Sequence, residues 1–303
     1  MAEGPKFKTT MTFAYGVPRE LAPGVVRLVA NNPSHFTFKG TNTYIVGSGA
    51  QVALIDPGPD DARHLDAIIA TLGTRRLSHI VVTHTHHDHV DGLAALVAAT
   101  GAKTAGFGRR ARQHGVRRTS ASGSEYVDQD FVPDVPLAHG GRLAGDGWAL
   151  SAVHTPGHAP DHLCFELEGT GLLFSGDHVM GWNTSVIAPP EGNMADYLRS
   201  LEIMGERADR IYFPGHGGHV EEPQRLVKAF LLHRRMREQS ILDCIHQGTN
   251  TVKAIVPAIY RDLDPKLVNA ASLSVLAHVE HLISRGLVRC DPPLSVDRAL
   301  SAA

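Results

Sequence analysis

The chain has 303 residues, 29 Lys plus Arg against 31 Asp plus Glu, a formal net charge of -2 and a sequence pI near 6.8. That length accommodates one large or two ordinary domains, and the charge balance excludes a global field that would draw the protein to nucleic acid or membrane. The three cysteines, Cys164, Cys244 and Cys290, stand far apart, which argues against a disulfide framework, while 19 His is a count that asks for a reason.

From the N-terminus, Met1 to Lys6 has no apolar signal core and no apolar run reaches transmembrane length, so the expectation is a soluble, cytoplasmic protein with no membrane partner. Val25–Val29, Thr43–Val46 and Gln51–Ile55 read as strands, the last two a hairpin through Gly47-Ser48-Gly49. Asp56-Pro57-Gly58-Pro59 ends the third strand. Asp60 or Asp61 then caps a helix carrying Leu65, Ile68, Ile69 and Leu72, which Gly73 closes. Asp56, at a strand end, is placed to accept a hydrogen bond from a metal-ligating imidazole.

Val81 and Val82 end a buried strand, and the residues after Thr83 spell His84-Thr85-His86-His87-Asp88-His89 before an apolar helix from Val90 to Ala99. The imidazoles of His84, His86 and His89 and the Asp88 carboxylate, converging from one turn, suit zinc, which takes nitrogen and oxygen donors. The stretch from Arg109 to Gly147 loses clear periodicity. Arg109, Arg110, Arg112, Arg117 and Arg118 precede Glu125, Asp128, Asp130 and Asp134 there, and a loop of this length is placed to overhang a site.

A strand from Trp148 to Val153 runs into Thr155-Pro156-Gly157-His158, where proline and glycine aim His158 out of a strand end; His154 and His162 read as packing residues behind it that orient it. Strands at Leu163–Leu167 and Leu172–Phe174 follow, the second ending in Ser175-Gly176-Asp177. A helix around Tyr197, Leu198 and Leu201 leads to a strand at Arg210–Phe213 and then to Pro214-Gly215-His216-Gly217. The donors His84, His86, Asp88, His89, His158, Asp177 and His216 suffice for two zinc ions with an open side for reaction.

These motifs, His-x-His-x-Asp-His, Thr-Pro-Gly-His, Ser-Gly-Asp and Pro-Gly-His-Gly in this order, resemble the metallo-β-lactamase superfamily over roughly the first two thirds of the chain. The resemblance implies an α+β fold, an αββα sandwich with the site along one edge. It also implies that His84, His86 and His158 hold a first zinc, that Asp88, His89 and His216 hold a second, and that Asp177 bridges both. Classical β-lactamases of the superfamily lack the complete Asp88-His89 pair, so an antibiotic-resistance role is not favoured. Asn32-Pro33-Ser34, Phe36-Thr37-Phe38 and Gly40-Thr41-Asn42-Thr43-Tyr44, with Asp161-His162 where glyoxalase II-like relatives show Gly-His, are similar to the β-lactamase-like protein 2 branch. That branch includes endoribonucleases and polyketide thioesterases and carries a C-terminal winged-helix-like domain.

The tail fits that expectation. Helices around Leu226 to Ile245, Val252 to Tyr260 and Val268 to Leu282, then a strand at Leu287–Arg289, divide the chain into a catalytic domain at 1–222 and a winged-helix-like domain at 223–303. The last helix is expected to show Ser272, Ser274, His278, Glu280 and His281 outward. It is too poor in Lys and Arg for a DNA reader, and reads as a cap or as the contact of a homodimer. The basic cluster His233, Arg234, Arg235 and Arg237 reads as an exposed face within reach of phosphate.

The expected protein is therefore a dinuclear zinc hydrolase whose ions share a hydroxide. Asp88 both holds metal and orients the attacking water, and Asn183 and Thr184, after Trp182, offer donors to the substrate. A small acyl ester or thioester is the first substrate class, cleavage of single-stranded RNA the alternative, and a metal-binding module without turnover the third reading.

Overall fold

The computed structural model describes residues 5–108, 127–128 and 130–303. Apolar residues that are buried on both sides of a strand decide its layering. In order come β1 (Arg19–Ala22), β2 (Val25–Val29), β3 (Asn42–Val46), β4 (Gln51–Ile55), α1 (Ala62–Leu72), β5 (Arg76–Val81), α2 (His87–Val90), α3 (Leu93–Thr100), β6 (Lys103–Phe107), β7 (Val135–Leu137), β8 (Arg142–Gly145), β9 (Trp148–His154), β10 (Leu163–Leu167), β11 (Leu172–Gly176), α4 (Met194–Glu206) and β12 (Ile211–Pro214). β1 to β7 form one sheet in sequence order, and β12-β11-β10-β9-β8 form the second.

Alternate residues of β3 explain why two helical layers are needed. Tyr44 and Val46 enter the core between the sheets with Leu150, Phe165, Phe174 and Phe213, while Ile45 points to the outer face. There α1 and α3 cover it with Leu65, Ile68 and Leu96; on the far side α4 covers Cys164, Leu173 and Tyr212 with Tyr197 and Leu201. The expected αββα sandwich is present. β4, β5 and β6 run parallel, as do β11 and β12, so the turns after β4, β5, β11 and β12 gather along the carboxyl ends of the strands.

Several local expectations change. α1 is capped by Asp61, whose side chain accepts from the Arg63 N–H, and Ile69 on it is exposed rather than core. The helix expected from Val90 begins at His87 and breaks at Gly92, where a Cβ would lie 3.0 Å from both Leu65 and the Pro59 carbonyl. β7 and β8 lie in the stretch that showed no periodicity, being too short for an alternation to register. The five arginines from Arg109 to Arg118, with Glu125, fall outside the described residues.

The C-terminal part follows as α5 (Pro223–His246), α6 (Val252–Ile259), a 3-10 turn (Pro265–Leu267), α7 (Val268–Ser284), β13 (Val288–Cys290) and β14 (Leu300–Ala302). The β13–β14 antiparallel pair makes the wing, whose second strand is additional to the one expected at Leu287–Arg289. α5 belongs to two cores: Val227 and Phe230 pack with Tyr197 and Leu201, and Ile241 and Ile245 pack with Ile255, Val275 and Val279. Among the described residues, Pro265–Ser284 is long and apolar enough by length and composition to cross a membrane, contrary to the expectation that no run is. Its Ala271, Val275, Val279 and Leu282 are core residues of this unit.

Candidate metal centre

Four histidines of the centre, His84, His89, His158 and His216, have one ring nitrogen tied to a neighbour, which leaves the other facing inward. The Thr83 hydroxyl and N–H donate to Asp56 at 2.8 Å each, so Thr83 Oγ1 accepts from the His84 Nδ1–H at 3.0 Å. His89 Nδ1 donates to Asp56 Oδ2 at 2.8 Å, His158 Nδ1 to the Val186 carbonyl at 2.6 Å, and His216 Nδ1 to the Gly40 carbonyl at 3.3 Å. Such contacts fix tautomer and ring orientation before any ion binds. Asp56 stands behind two ligand histidines at once, and it does so from a left-handed backbone with φ of 54°, a conformation that Asp tolerates better than most residues.

The inward atoms form two adjoining groups. His86 Nδ1 lies 2.9 Å from both His84 Nε2 and His158 Nε2. On the other side His216 Nε2 lies 3.2 Å from Asp88 Oδ2 and 3.3 Å from His89 Nε2. Asp177 reaches both groups, its Oδ2 3.2 Å from His216 Nε2 and 3.8 Å from His158 Nε2, its Oδ1 3.5 Å from His89 Nε2. His84–His86–His158, His84–His89–Asp177 and Asp88–His89–His216 each bring their ligand atoms within 4.8 Å.

The donor chemistry fits cations. Burial holds His84 and His86 well below the ordinary imidazole range, so both are neutral lone-pair donors. Burial also opposes a proton on His89 and His216, yet the surrounding carboxylates prevail. Asp88, Asp177 and Asp56 raise His89 well above its usual value, and Asp177 and Asp88 raise His216 to about 9. A pocket that pulls positive charge onto buried imidazoles is one that a divalent ion satisfies without the proton.

The His216 turn is bolted in place by two residues to which the sequence alone assigns no role, Asn42 and Tyr44. Asn42 Nδ2 donates to the Pro214 and Gly217 carbonyls at 2.9 Å, and the Tyr44 hydroxyl donates to Pro214 at 2.7 Å. Gly215 is there because a Cβ would sit 2.4 Å from Asp177 Oδ1 and 2.6 Å from the His89 ring. Gly157, at φ 141°, fits against the Tyr197 backbone, 2.3 Å from where a Cβ would be. Thr41 donates to Asp88 Oδ2 at 3.0 Å, orienting the one donor that keeps some exposure, 25% of its side chain.

Other expectations need correction. His162 does not orient His158. Its Nε2 accepts from the Asp177 N–H at 3.0 Å and its Nδ1 faces the Thr155 hydroxyl at 2.8 Å, so it holds the backbone of Asp177 instead. His154 bonds the Pro160 carbonyl and stacks on Phe107, outside the donor set. Asn183 is exposed and its Oδ1 accepts from the Thr184 N–H, while Trp182 stacks on Phe38 with centroids 5.0 Å apart. His278 is fully buried, not outward. Arg234, expected on an exposed face, is 2% exposed and donates to the Ser185 carbonyl; the Ser185 hydroxyl donates to the carbonyls of Asp177 at 2.6 Å and His178 at 2.8 Å. Arg237 is also engaged inward, over the Tyr260 ring and on the Ile259 carbonyl, which leaves Arg235 as the exposed member among these three arginines.

Comparison with known proteins gives two family matches. A family model described as the metallo-beta-lactamase superfamily matches residues 36–216, and one described as the beta-lactamase associated winged helix domain matches residues 251–292. A beta-lactamase-like protein 2 homolog of Drosophila melanogaster is 35% identical over 89% of this chain and 91% of its own. An atrochrysone carboxyl ACP thioesterase of a Cryptosporiopsis species is 29% identical over 80% of this chain and 74% of its own. Among solved structures, a beta-lactamase domain protein from Burkholderia ambifaria superposes with a TM-score of 0.78 at 22% identity, covering 97% of this chain and 95% of that one.

Proposed function

Because the chain belongs to the metallo-beta-lactamase superfamily and ends in that superfamily's winged-helix domain, we propose that it is a dinuclear zinc hydrolase of an acyl thioester or small ester. The observation that carries the dinuclear reading is the pair of donor groups joined by Asp177, in which the outer nitrogens of His84, His89, His158 and His216 are already satisfied. His84, His86 and His158 would hold one ion, Asp88, His89 and His216 the other, and Asp177 both. When bound, such a pair lowers the pKa of water towards ~7 and polarises the oxygen of the bond under attack.

The chain's own groups do the positioning. Asp88 is pinned by Thr41 and His216 yet open on one side, so it can accept a hydrogen bond from a water and turn the water oxygen towards an incoming carbonyl. His162 and Ser185 hold Asp177 from its N–H and its carbonyl, which keeps the shared carboxylate from swinging to one group. Thioester chemistry is supported by the relative described as an ACP thioesterase. It is also supported by the inward engagement of Arg234 and Arg237, which leaves Arg235 as the exposed arginine of the three in one of the clusters that motivated the RNA alternative.

The test is turnover of aryl and alkyl thioesters by metal-replete protein across a salt series. A small acyl substrate releases few counterions, so a shallow salt dependence and loss of turnover in Asp177→Ala are expected. RNA cleavage that falls with salt at about -0.7 in log-log slope per neutralised phosphate, without thioester turnover, would contradict the reading.

A further inference from the structure

A second group of charges lies outside the metal centre, where the N-terminal segment crosses the edge of the first sheet. The Lys8 N–H donates to the Gly181 carbonyl at 2.8 Å, and Arg19 and Arg27 both donate to the Thr12 carbonyl, at 3.2 and 2.9 Å. The β1–β2 register sets Arg19 directly opposite Arg27, and like charges in that position destabilise a strand pair. Arg27 is 3% exposed, its Nε has no hydrogen-bond partner, and no carboxylate pairs with it among the described residues. A buried, unpaired guanidinium beside a second one is costly unless something answers it.

A cavity of about 240 Å³ opens on this pair, lined by Lys8, Thr10, Thr12, Arg19, Arg27 and His219 among others, with no Asp or Glu in its wall. Glu221 approaches Lys8 from the other side, in the wall of a neighbouring cavity of about 350 Å³, and pairs with His219 at 3.1 Å. We propose that the Lys8–Arg19–Arg27 cavity is an anion site that takes a phosphate group. Two guanidinium groups supply fork-shaped donors, and the Thr10 and Thr12 hydroxyls and Lys8 complete a polar lining suited to phosphate oxygens.

The site stands near the centre without being part of it. Arg27 pairs with Tyr44, three residues along from Thr41, which at strand rise is about 10 Å. His219 follows His216 by three residues. The phosphate therefore has two sources: the thiol arm of a thioester whose carbonyl lies at the metal centre, or a free phosphate. The first rests on the hydrolase reading above; the anion site itself does not.

The experiment titrates inorganic phosphate into full-length, metal-loaded protein by calorimetry at fixed low salt. Arg19→Gln and Lys8→Gln, both at exposed positions, are expected to weaken binding about tenfold or more, since each removes charge-assisted hydrogen bonds. Asp177→Ala is expected to retain it. Absence of binding, binding indifferent to both surface variants, or binding lost only in Asp177→Ala would overturn the proposal, the last because the anion would then sit at the metal centre. A second arm compares two thioesters that differ only in a phosphate on the thiol side. If KM rises in Arg19→Gln for the phosphorylated one alone, the substrate's arm fills the site; if neither KM moves while phosphate binding is lost, free phosphate does. Failure of thioester turnover would leave the binding result standing.

Discussion

Asp56 illustrates how much of the centre rests on residues that touch no ion. Its Oδ2 accepts hydrogen bonds from both the Thr83 hydroxyl and the His89 Nδ1–H, and Thr83 Oγ1 in turn accepts from His84, so one carboxylate aligns an imidazole in each donor group. Asp56→Ala is therefore expected to lower affinity for both ions, by about 10 to 100-fold, when metal retention is measured against a chelator; loss confined to one ion would contradict the shared role. His154→Ala, which removes only a stack on Phe107 and a bond to Pro160, is expected to retain metal like the unaltered chain, whereas His158→Ala is expected to lose it. The donors were legible because their types are rare and their spacing recurs at strand ends. Thr83 and Thr41 were not, because a hydroxyl gains its meaning from Asp56 and Asp88, 27 and 47 residues away.

At the scale of elements, α5 and α7 show where periodicity misleads. A helical repeat gives one buried face, but α5 is covered on more than one side, by α4 and by the winged-helix core, so Arg234 and Glu238 are buried with Phe230 and Ile241. Arg234 then ties α5 to the Ser185 turn that holds Asp177. Arg234→Ala is expected to lower kcat about tenfold or more while Arg235→Ala, at a 68% exposed side chain, leaves it unchanged; equal effects would show that α5 does not reach the centre. On α7, His278 lies beside Glu238, and burial pushes its pKa down to about 4 although Glu238 opposes this. The unfolded chain, near 6.5, takes the proton first, so the stability His278 contributes is full above about pH 6.5 and is lost as pH falls towards 4. Denaturation of His278→Leu is expected to show a pH slope shallower than the unaltered chain by about 1.4 kcal/mol per unit in that window. Identical slopes would contradict a buried neutral imidazole.

For the whole molecule, two stacked sheets with parallel strand pairs bring turns far apart in sequence to one edge, and that convergence is what makes a hydrolytic site of scattered histidines. The sandwich and the winged helix were legible through their motif order, while the wing's second strand and the short strands β7 and β8 were too brief to leave a pattern. If Asp177 joins two ion sites, metal stoichiometry must show it. After loading with zinc and removal of excess, the unaltered chain is expected to hold about two ions and Asp177→Ala markedly fewer. One ion or none in the unaltered chain, or undiminished occupancy in Asp177→Ala, would contradict it.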